Sequence, residues 1–216
     1  MCGLSEIEQY RELIRRILEA FQDISFPVIV KVATDRDVES FDPIEDQPII
    51  SDLSTLADEV MHTYYNTPIR IKRINEVSNF LEKEIPKVFD AMRGKFVVLK
   101  NVVNLGGSGY PNLRIDYTGG HVYADVKATM RPDRGSARDF YFTAGVETKK
   151  KVTKDGKHAV LGFIIHGSPS NYRTVGWKLS DLSKVSVKAK TEFNADNLEI
   201  YKKEAVIKEI IFKLHS

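Results

Sequence analysis

The 216-residue sequence has very little cysteine and no long apolar run. Its one cysteine, Cys2, excludes an internal disulfide and a zinc site built from several thiolates. No apolar stretch reaches the roughly 18–20 residues that a membrane-spanning helix needs. The N-terminus also lacks the basic and then apolar pattern of a signal peptide. The sequence therefore predicts a soluble globular protein of the cytoplasm.

Three common catalytic signatures are also missing from the sequence. The glycine-rich stretch 106–109 lacks the Lys-Ser/Thr ending of a phosphate-binding Walker loop. No nucleophile-elbow motif indicates a Ser-His-Asp site, and the five histidines form no pair at metal-ligand spacing. The sequence therefore gives no indication of a Walker loop, of a nucleophile elbow or of a histidine metal site.

Charge is unevenly distributed along a chain whose net charge is only +2. Residues 1–60 carry five Lys or Arg against fourteen Asp or Glu, whereas residues 127–190 carry fourteen against five. The basic half is a candidate surface for a polyanion. The same pattern is also explained by an ordinary solvated surface, on which folding brings the acidic and the basic residues together.

The hydrophobic pattern changes from helical spacing to alternation near residue 96. Helices are predicted over 4–22, from 51 or 52 to 65, over 74–92 with Pro86 as a break or restart, and over 196–214. Strands are predicted at 26–32, 96–99, 113–117, 122–128, 159–165 and 174–179. The acidic stretch 35–48 is predicted to be a loop. One α/β domain is the simplest fold class for this order.

The two predicted strands 113–117 and 122–128 carry polar groups on one face. Side chains alternate along a strand, so Asp116 on the first strand and Asp125 and Lys127 on the second point to the same side. Glycines at 119 and 120 favour a hairpin between the two strands. The hairpin therefore gathers two carboxylates and an amine.

The predicted distance between the two acids depends on the turn. A four-residue turn at 118–121 pairs Tyr117 with Val122, which makes Asp116 and Asp125 diagonal neighbours about 7 Å apart. Two carboxylates at that distance repel each other unless a cation lies between them, and Mg²⁺ takes carboxylate ligands. The alternative is a solvated strand face with ordinary cross-strand ion pairs.

The triplet Asp125-Val126-Lys127, preceded by Gly-Ser-Gly-Tyr-Pro-Asn-Leu, resembles the PD-(D/E)xK nuclease superfamily and type II restriction endonucleases in particular. The resemblance implies an α/β fold with a restriction-endonuclease-like core. In that core a mixed central sheet is flanked by helices, and this chain adds an N-terminal helical region. The resemblance also implies Mg²⁺-dependent, site-specific cutting of double-stranded DNA by a homodimer, since both strands must be cut.

The expected organisation is a single nuclease domain. Residues 1–75 are expected to be a helical region and the dimer surface, residues 76–195 the catalytic core, and residues 196–216 a C-terminal helix. The order of elements from about residue 77 to 166 matches the family core in outline.

One position departs from the family motif, because Pro111 is followed by Asn112 where the family usually has aspartate. If Asn112 occupies the acid position, metal binding is weakened or the protein is inactive. Alternatively, Asp116 supplies the acid from further along the same strand. We favour Asp116, because in the predicted register it pairs two residues before Asp125, whereas Asn112 pairs opposite Lys127.

The resemblance further implies a glutamate from the helix that precedes the sheet. Glu82 and Glu84 are the candidates, and we favour Glu84, although a solvated helix residue fits equally well. The predicted metal ligands are therefore Asp116 and Asp125, and the wider catalytic set adds Lys127, Glu84 and Asn112.

Candidate DNA contacts lie in segments beside or after the hairpin. Arginine suits phosphate and guanine, and lysine suits the DNA backbone, although each of these residues could equally be solvated charge. The loops at 104–110 and 168–173 could enter a groove. The predicted contacts are Arg131, Arg134, Arg138, Lys149, Lys150, Ser108, Tyr110, Asn171 and Arg173.

Two other functions fit the same sequence. One is a repair, recombination or RNA-processing nuclease on the same core. A plasmid cleavage assay distinguishes it from a restriction enzyme, because only site-specific cutting yields discrete fragments. The other is a DNA-binding module whose catalytic site has decayed, which would bind DNA without cutting it.

Overall fold

The computed structural model describes residues 10–11, 14–15, 23–107, 109–130 and 146–187. Residues Asp23–Val187 form one compact unit, and Met1–Gln22 together with Lys188–Ser216 are assigned to a second. The predicted helix over 4–22 lies largely outside the described residues, and the one over 196–214 lies wholly outside them. The predicted domain boundaries stay a prediction.

The helices of the first unit are α1 (Phe26–Thr34), α2 (Gln47–Asn66), α3 (Val77–Met92) and α4 (Val146–Lys151). Its strands are β1 (Ile24–Ser25), β2 (Val38–Glu39), β3 (Leu99–Asn104), β4 (Leu113–Tyr117), β5 (Gly120–Thr129), β6 (Gly156–Ser168), β7 (Asn171–Asp181) and β8 (Ser186–Val187). Short 3₁₀ turns lie at Ile74–Glu76, Arg93–Lys95 and Leu182–Lys184. None of the described helices has the length and apolar composition that a membrane crossing requires.

A mixed sheet joins the strands in the order β2-β6-β5-β4-β3, and β7 also pairs with β6. The β2–β6 and β5–β6 pairs are parallel, whereas the β3–β4, β4–β5 and β6–β7 pairs are antiparallel. A separate antiparallel pair joins β1 to β8. The mixed sheet flanked by helices confirms the predicted fold class.

The two faces of β5 belong to different parts of the core. Val122 and Ala124 pack in a large apolar core with residues of α2 and α3. Tyr123, which lies between them, packs in a smaller core with Phe26 of α1. Because side chains alternate along a strand, Asp125 shares the face of Tyr123.

Residues 26–32 lie in helix α1, so the strand predicted there is wrong. Pro27 is in the first turn of the helix. Backbone N–H groups there have no acceptor within the helix, so proline removes no helical hydrogen bond. Phe26, Val30 and Thr34 are buried at intervals of four residues, which is helical spacing. Packing of this stripe overrides the strand propensity of the β-branched residues around it.

Helix α3 continues through Pro86, so the break predicted at that residue is wrong. Proline has no N–H, and the carbonyl four residues earlier, that of Glu82, therefore lacks its helical donor. The side-chain amide of Asn104 on β3 donates to this carbonyl at 2.9 Å. A side chain of the sheet thus replaces the missing hydrogen bond of the helix.

A buried carboxylate joins α2 to the start of β3. Asp52 is 4% exposed. It accepts the backbone N–H groups of Val97 at 3.1 Å, Val98 at 2.7 Å and Leu99 at 2.8 Å. These bonds satisfy three backbone donors just before and at the first residue of β3.

The predicted loop 35–48 contains the short strand β2 and is held by a lysine from β6. The Nζ atom of Lys157 lies 2.7 Å from Asp46 Oδ2 and donates to the Ser40 carbonyl at 2.8 Å. The side chain of Lys157 is only 8% exposed and that of Asp46 15%. The ion pair therefore anchors the loop against the sheet.

Candidate active site

The hairpin of β4 and β5 has a shorter turn than predicted. Tyr117 pairs with Gly120 rather than with Val122, and the turn consists of Thr118 and Gly119. Gly119 has a φ of 121°, which a residue without a Cβ atom adopts readily. Two-residue turns of this kind are the commonest hairpin connection. The predicted register is therefore wrong by two residues.

The shift brings Asn112 opposite Asp125. Leu113 pairs with Ala124, and the Asn112 N–H donates to the Ala124 carbonyl at 3.0 Å. The side-chain oxygen of Asn112 accepts the N–H of Val126 at 3.0 Å. Asn112 therefore lies beside the acid of the triplet, where the family motif has its first aspartate.

Asp116 lies away from the triplet. It pairs with His121, four residues before Asp125 on β5, which corresponds to about 13 Å along the strand. Its Oδ1 atom is 3.0 Å from Arg114 Nε and 2.7 Å from His121 Nδ1. The prediction that Asp116 and Asp125 hold one cation between them is therefore wrong.

Asp125 is the buried carboxylate of the site. Its side chain is 4% exposed, and Oδ2 lies 2.7 Å from Lys127 Nζ. At this distance the ammonium of Lys127 and the carboxylate of Asp125 form a close ion pair. Burial raises the pKa of Asp125, and the charges of Lys127 and Lys151 oppose that rise.

An aromatic cluster occupies the same face of the sheet as Asp125. The Tyr110 hydroxyl lies 2.7 Å from His158 Nδ1 and donates to the Tyr123 carbonyl at 3.2 Å. Burial lowers the pKa of His158 to about 3, so the imidazole is neutral at physiological pH. Tyr110 is 1% exposed, so the structure buries a side chain that was predicted to contact DNA.

The helix-borne acid near Asp125 is Glu82, not Glu84. Burial, and then the charge of Asp125, raise the pKa of Glu82 to about 7. Glu84 instead accepts a hydrogen bond from the Tyr64 hydroxyl at 2.9 Å and one from Lys87 at 2.7 Å. Residues two apart on a helix point about 200° away from each other. We therefore replace Glu84 by Glu82 as the candidate.

Helix α4 adds a lysine that the sequence analysis did not consider for the site. Lys151 Nζ donates to the carbonyls of Gly109 at 2.8 Å and Pro111 at 3.2 Å. Its charge also lowers the pKa values of Glu82 and Asp125. No signal in the sequence identifies this residue, because the contact joins a helix to a loop some forty residues earlier.

The other residues predicted to contact DNA lie in different environments. Lys149 and Lys150 are exposed on α4, and Asn171 is exposed at the start of β7. Arg173 donates to the Tyr65 carbonyl in the last turn of α2, so its guanidinium supports the fold. The remaining predicted contacts lie outside the described residues: Ser108, Arg131, Arg134 and Arg138.

The donor groups around Asp125 suit a hard divalent cation. Within the described ranges no three His, Cys, Asp or Glu side chains gather as a metal site. Glu82 and Asp125 supply two carboxylates, and Asn112 adds an amide oxygen. Mg²⁺ commonly takes one or two carboxylates together with water and phosphate. The charge of Asp125 makes ionisation of Glu82 more costly, and a cation would relieve that cost, so the residues present fit Mg²⁺.

Two comparisons with known proteins agree with each other. The sequence profile of the type II restriction enzyme MjaV family matches residues 19–204, which include the sheet and the whole candidate site. Type II restriction enzyme MjaV from Methanocaldococcus jannaschii is 28% identical over 222 aligned residues, which cover 95% of this chain and 96% of that protein. No solved structure matches the chain.

Proposed function

The chain belongs to the type II restriction enzyme MjaV family, and on that premise we propose that its active site consists of Glu82, Asn112, Asp125 and Lys127. Membership makes the chain a site-specific deoxyribonuclease whose substrate is DNA. The assignment of residues rests on one observation. The β4–β5 register sets Asn112 opposite a buried Asp125, which is itself in contact with Lys127.

Glu82 and Asp125 are the proposed ligands of Mg²⁺, with the amide oxygen of Asn112 on the same side. When bound, Mg²⁺ withdraws charge from phosphate oxygens and makes a nearby water more acidic. Asn112 is uncharged, so this hairpin supplies one carboxylate fewer than the usual family motif. Glu82 restores a second negative charge from α3.

Lys127 acts on the water and the phosphate. Its side chain is 36% exposed, so the ammonium can face the substrate while it stays within 2.7 Å of Asp125. Its N–H groups orient the attacking water, and its charge stabilises the negative charge that develops on the phosphate. Asp125 limits the movement of the ammonium and thereby preserves its alignment.

Lys149 and Lys150 are proposed to contact the DNA backbone, because both are exposed on α4 next to the site. Such contacts weaken steeply with salt, because binding releases the counterions of the phosphates. A homodimer is proposed from the need to cut two strands. Sedimentation equilibrium tests it, and a monomer that also cuts both strands would refute it.

Cleavage of phage or plasmid DNA tests the proposed site. With Mg²⁺, wild type is expected to give discrete fragments, and Asp125→Ala and Lys127→Ala are expected to fold but not to cut. Asp116→Asn is the matched control from the same hairpin, and it should keep cutting. The assignment fails if Asp116→Asn abolishes cutting while Asp125→Ala retains it.

A further inference from the structure

Asn104, at the end of β3, links α3 to the loop that precedes β4. Its Nδ2 donates to the Glu82 carbonyl at 2.9 Å, and its Oδ1 accepts the Gly106 N–H at 2.8 Å. Because one end of the amide must donate and the other must accept, these two bonds fix its orientation. The nitrogen end is therefore held toward the helix.

The Glu82 carbonyl is available to Asn104 only because of Pro86. In an unbroken α-helix the N–H of the residue four positions later would occupy that carbonyl. Pro86 has no N–H, and α3 nevertheless runs from Val77 to Met92 without interruption. The backbone at Glu82 is thus bonded to the sheet at the point where the helix cannot bond to itself.

The strand register connects this contact to the catalytic carboxylate. Asn104 pairs with Leu113 on β4, and Leu113 pairs with Ala124 on β5, one residue before Asp125. Three rigidly paired strands therefore lead from the Asn104 amide to the triplet. The Glu82 backbone is attached to the sheet at the level of Ala124, which precedes Asp125 in the chain.

We propose that Asn104 is a positioning residue, whose amide takes the carbonyl freed by Pro86 and fixes the backbone from which the Glu82 carboxylate meets the metal site. The inference rests on the proposed function, in which Glu82 is a ligand. Asn104 touches neither substrate nor metal. It sets the separation of the two carboxylates by making the sheet, rather than the helix, hold Glu82.

Asn104→Ala removes the donor and should affect chemistry more than DNA binding. We expect kcat for plasmid cleavage to fall by about 10- to 100-fold, the range typical of groups that orient metal ligands, with KM for DNA little changed. Affinity for Mn²⁺, measured by calorimetry in a catalytically blocked Lys127→Ala background, should fall by a similar factor. Asn101→Ala, three residues earlier on β3, is the matched control and should match wild type.

Pro86→Ala distinguishes positioning from general stabilisation. In the Asn104→Ala background it supplies a backbone N–H that can bond the Glu82 carbonyl within the helix. The urea midpoint of the double variant should therefore return toward that of wild type. Its kcat and Mn²⁺ affinity should remain low, because the connection to the sheet is still missing.

Recovery of kcat and Mn²⁺ affinity together with stability in the double variant would overturn the inference, as would cutting by Asn104→Ala at the wild-type rate. Glu82→Gln separates the inference from the function on which it rests. If Glu82→Gln cuts normally, the proposed role of Glu82 fails and Asn104 loses its role with it. If Glu82→Gln is inactive while Asn104→Ala is fully active, only the inference about Asn104 fails.

Discussion

Glu82→Gln is expected to stabilise the metal-free protein while it abolishes Mg²⁺-dependent cutting. Burial and the charge of Asp125 raise the pKa of Glu82 from 4.5 to about 7. An acid whose pKa is higher in the folded than in the unfolded state binds more protons when folded. Its contribution to stability is therefore complete below about pH 4.5 and is lost as the pH rises through about 7.

The magnitude follows from the same pKa difference. A rise from 4.5 to about 7 would correspond to about 3 kcal/mol for a group shielded from water. Glu82 is only partly buried, so solvent screening reduces the expected effect to about 1–2 kcal/mol. The amide of Gln has a similar shape and no charge to desolvate, so the variant should gain this amount at pH 8.

Urea unfolding at pH 5 and pH 8, with and without MgCl₂, measures the effect. Wild type should lose stability between the two pH values and recover it with Mg²⁺, because a ligand that binds only the folded state stabilises it by mass action. Glu82→Gln should show a weaker pH dependence, little response to Mg²⁺ and no detectable Mg²⁺-dependent cutting.

Glu84→Gln is the matched control on the same helix. Glu84 bonds to Tyr64 and Lys87, so its substitution should change stability slightly and leave cutting intact. The reasoning is refuted if Glu82→Gln and wild type lose equal stability between pH 5 and pH 8. Cutting by Glu82→Gln at the wild-type rate would refute the metal-binding role.

Three further changes test the anchors of the fold and the unusual asparagine. Asp52→Ala leaves three backbone N–H groups without their acceptor. It should lower the free energy of unfolding by about 3 kcal/mol in urea, and a loss below about 1 kcal/mol would contradict this anchor. Lys157→Met leaves the half-buried Asp46 carboxylate unpaired and should cost about 2 kcal/mol, measured the same way. Asn112→Asp adds a third carboxylate beside Asp125, so cutting should need several-fold less Mg²⁺. Without metal this variant should become less stable as the pH rises above about 4, because the new acid has a raised pKa. An unchanged Mg²⁺ requirement would argue that Asn112 is not beside the metal.

The sequence alone determined the catalytic triplet and the class of fold. A strand has a side-chain period of two, so Asp125 and Lys127 had to share a face wherever β5 lay in the sheet. The helical spacing of α2 and α3 and the alternation after residue 96 likewise report which faces are buried. These features are local, because each depends on residues a few positions apart.

The tertiary structure decided which acids accompany the triplet. One turn of two residues instead of four moved Asp116 away from Asp125 and brought Asn112 beside it, because every pairing in a hairpin depends on the turn. The choice between Glu82 and Glu84 depended on how α3 is rotated against the sheet. Residues 26–32 form a helix because the helical stripe of buried residues packs against the aromatic cluster. This packing outweighs the strand propensity of the segment.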